Sequence, residues 1–138
     1  MKSVRIIGLG LMGTNLGVNL IGKGIKVYGD DINDFATKRA DKLGIDVNKN
    51  HDEVDLTILA MPINKIISYL KDNKKLNNTK ALLDIGGTKQ EICDLMDKLD
   101  IPSIGGHPMC GIADNNAWEP SPEIYEKATF LLCETKST

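Results

Sequence analysis

At 138 residues, 41% hydrophobic and 26% charged with a formal net charge of −2, the chain has the length and composition of one globular domain able to bury a core. No Lys/Arg cluster stands clear of compensating acids, which argues against a nucleic-acid or anionic-membrane partner, and no apolar run approaches the ~20 residues needed to span a bilayer. Cys93, Cys110 and Cys133 lack CxxC spacing, and the first residues show no signal-peptide pattern, so a disulfide framework and a zinc site are not expected and a reducing cytoplasm is.

Taken in order, residues 4–7 form a compact apolar run ending at Gly8, the pattern of a buried parallel strand. Leu11, Leu16, Leu20 and Ile21 recur at helical spacing until Gly22 and Gly24. A second strand over 25–28 is closed by Gly29, Asp30 and Asp31, and Asn33 caps a helix from 34 to about 43, which Gly44 stops. A short third strand covers 45–47, and a clearer one covers 56–60 before Met61-Pro62. A helix over about 64–71 and a polar connection over 73–79 lead to a strand over 81–85, then Gly86-Gly87-Thr88-Lys89. Ile92, Leu95, Met96 and Leu99 stripe a helix over 91–99. A strand over 102–104 enters a loop, Gly105-Gly106-His107-Pro108-Met109. An irregular stretch then precedes a last strand over 129–133.

Strands alternating with helices imply crossovers, hence an α/β, doubly wound, mostly parallel sheet of Rossmann type with helices on both faces. Residues 1–138 read as a single dinucleotide-binding domain. The unusual residues follow the carboxyl ends of the predicted strands, the edge where such sheets bind ligands.

Gly8-x-Gly10-x-x-Gly13 sits between strand and helix with an acid 18 residues beyond Gly13, the context that gives this motif meaning. Gly8 permits a tight turn, Gly10 lets phosphates approach the backbone, and Gly13 lets helix and strand pack closely. Leu11 and Met12 open the helix whose free N–H groups receive a pyrophosphate. Asp31 is expected to accept hydrogen bonds from the ribose hydroxyls, with Asp30 as competitor or turn residue. No Arg lies within residues 30–35 to neutralise a 2′-phosphate, which favours NAD over NADP. Ala60, Met61, Pro62, Gly86 and Gly87 are expected to line the cofactor.

His107, held before Pro108, is the candidate acceptor for a substrate hydroxyl proton as hydride leaves the same carbon. Thr88 and Lys89 either reach the substrate or serve as an N-cap and an exposed turn residue. His51 reads as a solvated loop residue, and nothing marks Cys110 as a nucleophile.

The segments GLGLMG, YGDDIN, DIGGTK, GGHPMCG and FLLCET, with the loop at Pro62, resemble the prephenate (or arogenate) dehydrogenase family of tyrosine biosynthesis over nearly the whole chain, GGHPM being the specific part. The resemblance implies NAD-dependent oxidative decarboxylation of prephenate to 4-hydroxyphenylpyruvate, with His107 bonding the ring hydroxyl and Asp31 the adenosine ribose. Prephenate and arogenate both stay open as substrate.

The chain departs from the family in three places. Gly87 stands where relatives often carry a serine that bonds the histidine, with Thr88 as the adjacent candidate substitute. Ala113 stands where relatives tend to carry an acid, with Asp114 adjacent. Members also continue into a helical, dimerising domain that supplies an arginine for the substrate carboxylates, and the chain stops at Thr138 with only Arg5 and Arg39, both early. The expectation is therefore an enzyme's cofactor half, a homodimer being compatible. The alternatives are a non-catalytic NAD-binding module or another β-hydroxyacid dehydrogenase.

Overall fold

The segments at 4–7, 56–59 and 82–84 each place apolar residues on both faces of a strand, so they demand cover on both sides. The structure, a computed structural model that describes residues 1–72, 76–110 and 122–138, provides that cover. Among these residues lie β1 (Ser3–Ile7), α1 (Leu11–Gly22), β2 (Lys26–Asp30), α2 (Asp34–Lys42), β3 (Asp46–Val47) and β4 (Leu56–Leu59). They continue with α3 (Ile63–Lys71), β5 (Leu82–Asp84), α4 (Gln90–Met96), β6 (Ser103–Pro108), a 3-10 helix (Pro122–Tyr125) and β7 (Phe130–Glu134).

The strands form one sheet in the order β3-β2-β1-β4-β5-β6-β7, parallel except for β7, which runs antiparallel to β6. This is the doubly wound α/β arrangement expected from the sequence, and the order reverses between β1 and β4, the switch point where a crevice opens. Two apolar clusters cover the sheet. One joins Val4, Ile6, Leu9 and Val27 to Ala36, Ala40 and Ile45; the other joins Ile7, Leu59 and Leu82 to Ile66, Leu70, Ile92 and Met96. Each fully buried Ile or Leu contributes roughly 1.5–3 kcal/mol of transfer free energy. The two-sided cover fixes where the strand ends emerge.

Local signals place the helix ends. The Asn33 side chain accepts from the Ala36 N–H and so caps α2, and Gly44, at φ +98°, ends it. Two expectations need correction. The second strand runs on through Gly29 and Asp30, because Ile6 and Ile7 of β1 pair with them. The run from Gly105 to Pro108 is strand rather than loop, because β7 pairs with it from Ile104↔Glu134 to Pro108↔Phe130. Gly106 permits this: a Cβ there would lie 2.7 Å from the Phe130 ring and 2.9 Å from the Asp84 carbonyl oxygen. Residues 73–75 of the polar connection and 111–121 of the irregular stretch, with Ala113 and Asp114, lie outside the described residues.

Candidate functional site

The loop after β1 is shaped by two close approaches. Gly8 has φ +100°, and a Cβ on it would lie 2.7 Å from the Ala60 carbonyl oxygen; a Cβ on Gly13 would lie 2.0 Å from the Gly8 carbonyl oxygen. Both glycines therefore serve the turn, bringing α1 hard against β1 and β4. Gly10 differs: a Cβ there meets nothing within 4 Å, so its missing side chain leaves a free approach to the backbone. Gly10 is also the N-cap of α1, with no side-chain cap and no acid in the first turn. The N–H groups at that helix end are thus available to an anion.

A cavity of about 760 Å³ opens beside this helix end, within the range of small-molecule sites. Gly10, Leu11 and Met12 line it with Ala60, Met61 and Pro62 from the β4 edge and Gly86 and Gly87 from the β5 edge. Asp31, Asn33, Phe35 and Arg39 form its far wall. Of the cofactor candidates named from sequence, only Gly8 and Gly13 fall outside this lining, behind the turn that they shape.

The two competing acids separate cleanly. Asp30 ends β2 and accepts from Arg5 Nε at 2.6 Å, in a second, polar recess that also holds Asn48 and His51. Asp31 turns to the main cavity. One carboxylate oxygen accepts the Leu9 N–H at 2.7 Å and the other the Asn33 N–H at 2.9 Å. A carboxylate has about four lone-pair sites, so acceptor capacity remains for hydroxyl donors. His51, expected to be solvated, is half-buried against Tyr28 with ring centroids 4.7 Å apart.

Arg39 carries no role in the sequence reading beyond its place on a helix. The structure brings it to the cavity wall, because residues 35, 36 and 39 share one face of α2. Its Nη2 donates to the Leu9 carbonyl oxygen at 2.9 Å, and its guanidinium lies 5.8 Å from the centre of the Phe35 ring. The acid-to-helix spacing alone gives no signal for this, since α2's register depends on the cap at Asn33.

His107, on β6, is not itself among the residues that line the cavity, but it lies beside Gly87, which is. A Cβ on Gly87 would lie 3.9 Å from His107 Cε1, and His107 Nδ1 is shielded from water without a hydrogen-bond partner. Thr88 is exposed and does not supply that bond, nor does it cap α4, whose N-cap is Lys89. Lys89 is neither exposed nor directed at the cavity: its Nζ pairs with the fully buried Asp84. Asp84 also accepts the N–H groups of Gly86 at 2.9 Å and Gly106 at 3.4 Å. This carboxylate joins the β5 loop to the strand that carries His107, and sequence reading missed it.

Neither Cys93 nor Cys110 has the environment of a nucleophile. Burial, then a hydrogen bond with Cys133, pushes the Cys93 thiol up to about 12, and burial raises that of Cys110. Tyr125 donates to the Met12 carbonyl oxygen at 2.7 Å, fastening the 3-10 helix to the start of α1, and burial raises its hydroxyl pKa. Among the described residues no helix is long and apolar enough to cross a membrane, and no cluster of His, Cys, Asp and Glu is arranged to hold a metal.

Set beside known proteins, the chain matches the family model for the prephenate dehydrogenase nucleotide-binding domain over residues 16–138. It is 32% identical to a prephenate dehydrogenase of Lactococcus lactis subsp. cremoris over 97% of this chain and 41% of that protein. The chain thus spans about two fifths of that relative's length. Its fold superposes on the arogenate dehydrogenase of Synechocystis with a TM-score of 0.82 at 23% identity, over 98% of this chain and 51% of the other. It also superposes on the 3-hydroxyisobutyrate dehydrogenase of Mycobacterium tuberculosis, with a TM-score of 0.68 at 21% identity over 80% and 42% of the two chains.

Proposed function

Because the chain belongs to the family of prephenate dehydrogenase nucleotide-binding domains, we propose that it is the cofactor half of an NAD-dependent enzyme that oxidatively decarboxylates prephenate to 4-hydroxyphenylpyruvate. One observation carries the reading. A single cavity has the uncapped end of α1 and the Asp31 carboxylate along it, and Gly87, which lines it, lies against His107.

The residues present fit a dinucleotide. The N–H groups at the start of α1 bind the pyrophosphate through the open space at Gly10. The Asp31 carboxylate takes the ribose hydroxyls and disfavours a 2′-phosphate, hence NAD before NADP. Ala60, Met61, Pro62, Gly86 and Gly87 bound the remaining length. When bound, the nicotinamide supplies the acceptor for the carbinol hydride. His107 holds the substrate hydroxyl and takes its proton, which becomes acidic as hydride departs. Asp84, through the N–H groups of Gly86 and Gly106, keeps the histidine strand and the Gly87 loop in register. Loss of carbon dioxide then makes the ring aromatic, so beyond the proton taken by His107 the protein's contribution is orientation.

The substrate carboxylates need cationic partners, which we assign to a helical, dimerising domain or a second subunit outside these 138 residues, in a cytoplasmic enzyme. Adding prephenate and NAD to the protein should raise absorbance at the reduced-nicotinamide band, and His107→Asn should abolish that rise while NAD binding survives. Undiminished turnover in the variant contradicts the role given to His107. The unpartnered His107 Nδ1 favours a second reading, a nucleotide-binding module without efficient turnover; it predicts NAD binding and no absorbance change.

A further inference from the structure

Among the described lining residues of the cavity, two carry charge: Asp31 and Arg39. Both hold the backbone of one residue, Asp31 accepting the Leu9 N–H and Arg39 donating to the Leu9 carbonyl oxygen. Arg39 is not needed to satisfy that oxygen, because the Thr14 hydroxyl also donates to it at 2.9 Å. Its Nε–H is buried and has no partner, although a shielded donor left unmade costs free energy. The guanidinium lies over the ring of Phe35 on the preceding turn, and both line the same cavity as Asp31.

We propose that Arg39 is a specificity-determining residue: its guanidinium faces the 2′ position of the adenosine ribose and gives the site a cation for a 2′-phosphate, against which Asp31 discriminates. The inference rests on the nucleotide reading of the cavity. It sharpens the expectation that no arginine serves this position, since none lies within residues 30–35 but α2 folds Arg39 back to it. With a 2′-hydroxyl the Asp31 carboxylate accepts and Arg39 contributes little. With a 2′-phosphate, Asp31 repels and Arg39 attracts, so the preference for NAD is the difference between two opposed charges.

Calorimetric titration of the full chain with NAD and NADP separates the roles. Arg39→Gln should weaken NADP roughly tenfold, the worth of one charge-assisted contact, while NAD changes less than about threefold because Thr14 still holds Leu9. Asp31→Asn should strengthen NADP relative to NAD, and adding Arg39→Gln to it should remove that gain. Arg39→Lys, which keeps the cation, should retain most NADP affinity. Equal weakening of both cofactors by Arg39→Gln, with folding intact by circular dichroism, makes Arg39 a structural pin and overturns the inference. So does an unchanged NADP affinity. Wild-type protein that binds neither cofactor instead overturns the nucleotide reading itself.

Discussion

Gly87 lies against His107, so close that a methyl group on it would stand 3.9 Å from the imidazole Cε1, while Nδ1 of the same ring has no partner. A side-chain hydroxyl at residue 87 is therefore within reach of the ring that the proposed chemistry uses. Gly87→Ser should give Nδ1 a partner and fix the tautomer, which second-neighbour bonds of this kind normally do. The expected outcome is a shift of the His107 ring-nitrogen resonances and a several-fold rise in turnover at constant NAD affinity. Unchanged ring-nitrogen resonances would show that the two residues do not communicate.

The glycine loop separates turn-making from ligand-binding residues. Gly13→Ala forces a Cβ to 2.0 Å from the Gly8 carbonyl oxygen and should cost about 1–3 kcal/mol or more of stability, as overpacking does. Gly10→Ala meets nothing within 4 Å, so its cost should stay below about 1 kcal/mol, that of an N-cap change. NAD affinity should nevertheless fall at least about tenfold, because the methyl occupies the phosphate approach. Urea denaturation and calorimetry on the two variants test this, and native NAD affinity in the Gly10→Ala variant would remove the pyrophosphate from that position.

Breaking the Asp84–Lys89 pair should be costly. Lys89→Met leaves a fully buried carboxylate without its cation and should destabilise by about 3–5 kcal/mol. Combining it with Asp84→Asn, which removes the charge and keeps an acceptor oxygen for one of the Gly86 and Gly106 N–H groups, should recover part of the loss in urea denaturation. A simple sum of the two single effects would mean that they are not coupled.

Acid should weaken the join between β1 and the segment before β4. Lys80, followed by the N–H groups of Lys2 and Ser3, holds the Asp55 carboxyl well below the usual carboxylate range. A lowered folded value contributes stability that is present above the unfolded pKa of about 3.9 and lost as pH falls through the folded one. Wild-type protein should therefore melt above Asp55→Asn near neutrality, and the gap in Tm should close as the pH is taken below about 3. A gap independent of pH contradicts the assignment.

What was legible in the sequence was local. Gly8 and Gly13, Asn33 and Gly44 announce their turns and caps because each needs a particular backbone conformation or side-chain acceptor. The β-branched runs announce a parallel sheet, and with it the edge on which the site sits. What was hidden depends on partners distant in the chain. The strand character of Gly105 to Pro108 comes from β7, which follows after a long intervening stretch; two consecutive glycines read as loop until that neighbour is known. The diversion of Asp30 to Arg5 depends on the pairing of β1 with β2. Arg39 reaches the cavity only through the register of α2, and Lys89 leaves it because Asp84 is buried nearby.

A crystal structure of the protein grown with NAD bears on all of these roles at once. The pyrophosphate should lie against the N–H groups at the start of α1, the adenosine ribose hydroxyls on Asp31, and the nicotinamide toward Gly87 and His107. Dinucleotide bound elsewhere, or ribose hydroxyls paired with Asp30 in the polar recess instead of Asp31, would contradict the nucleotide reading of the cavity.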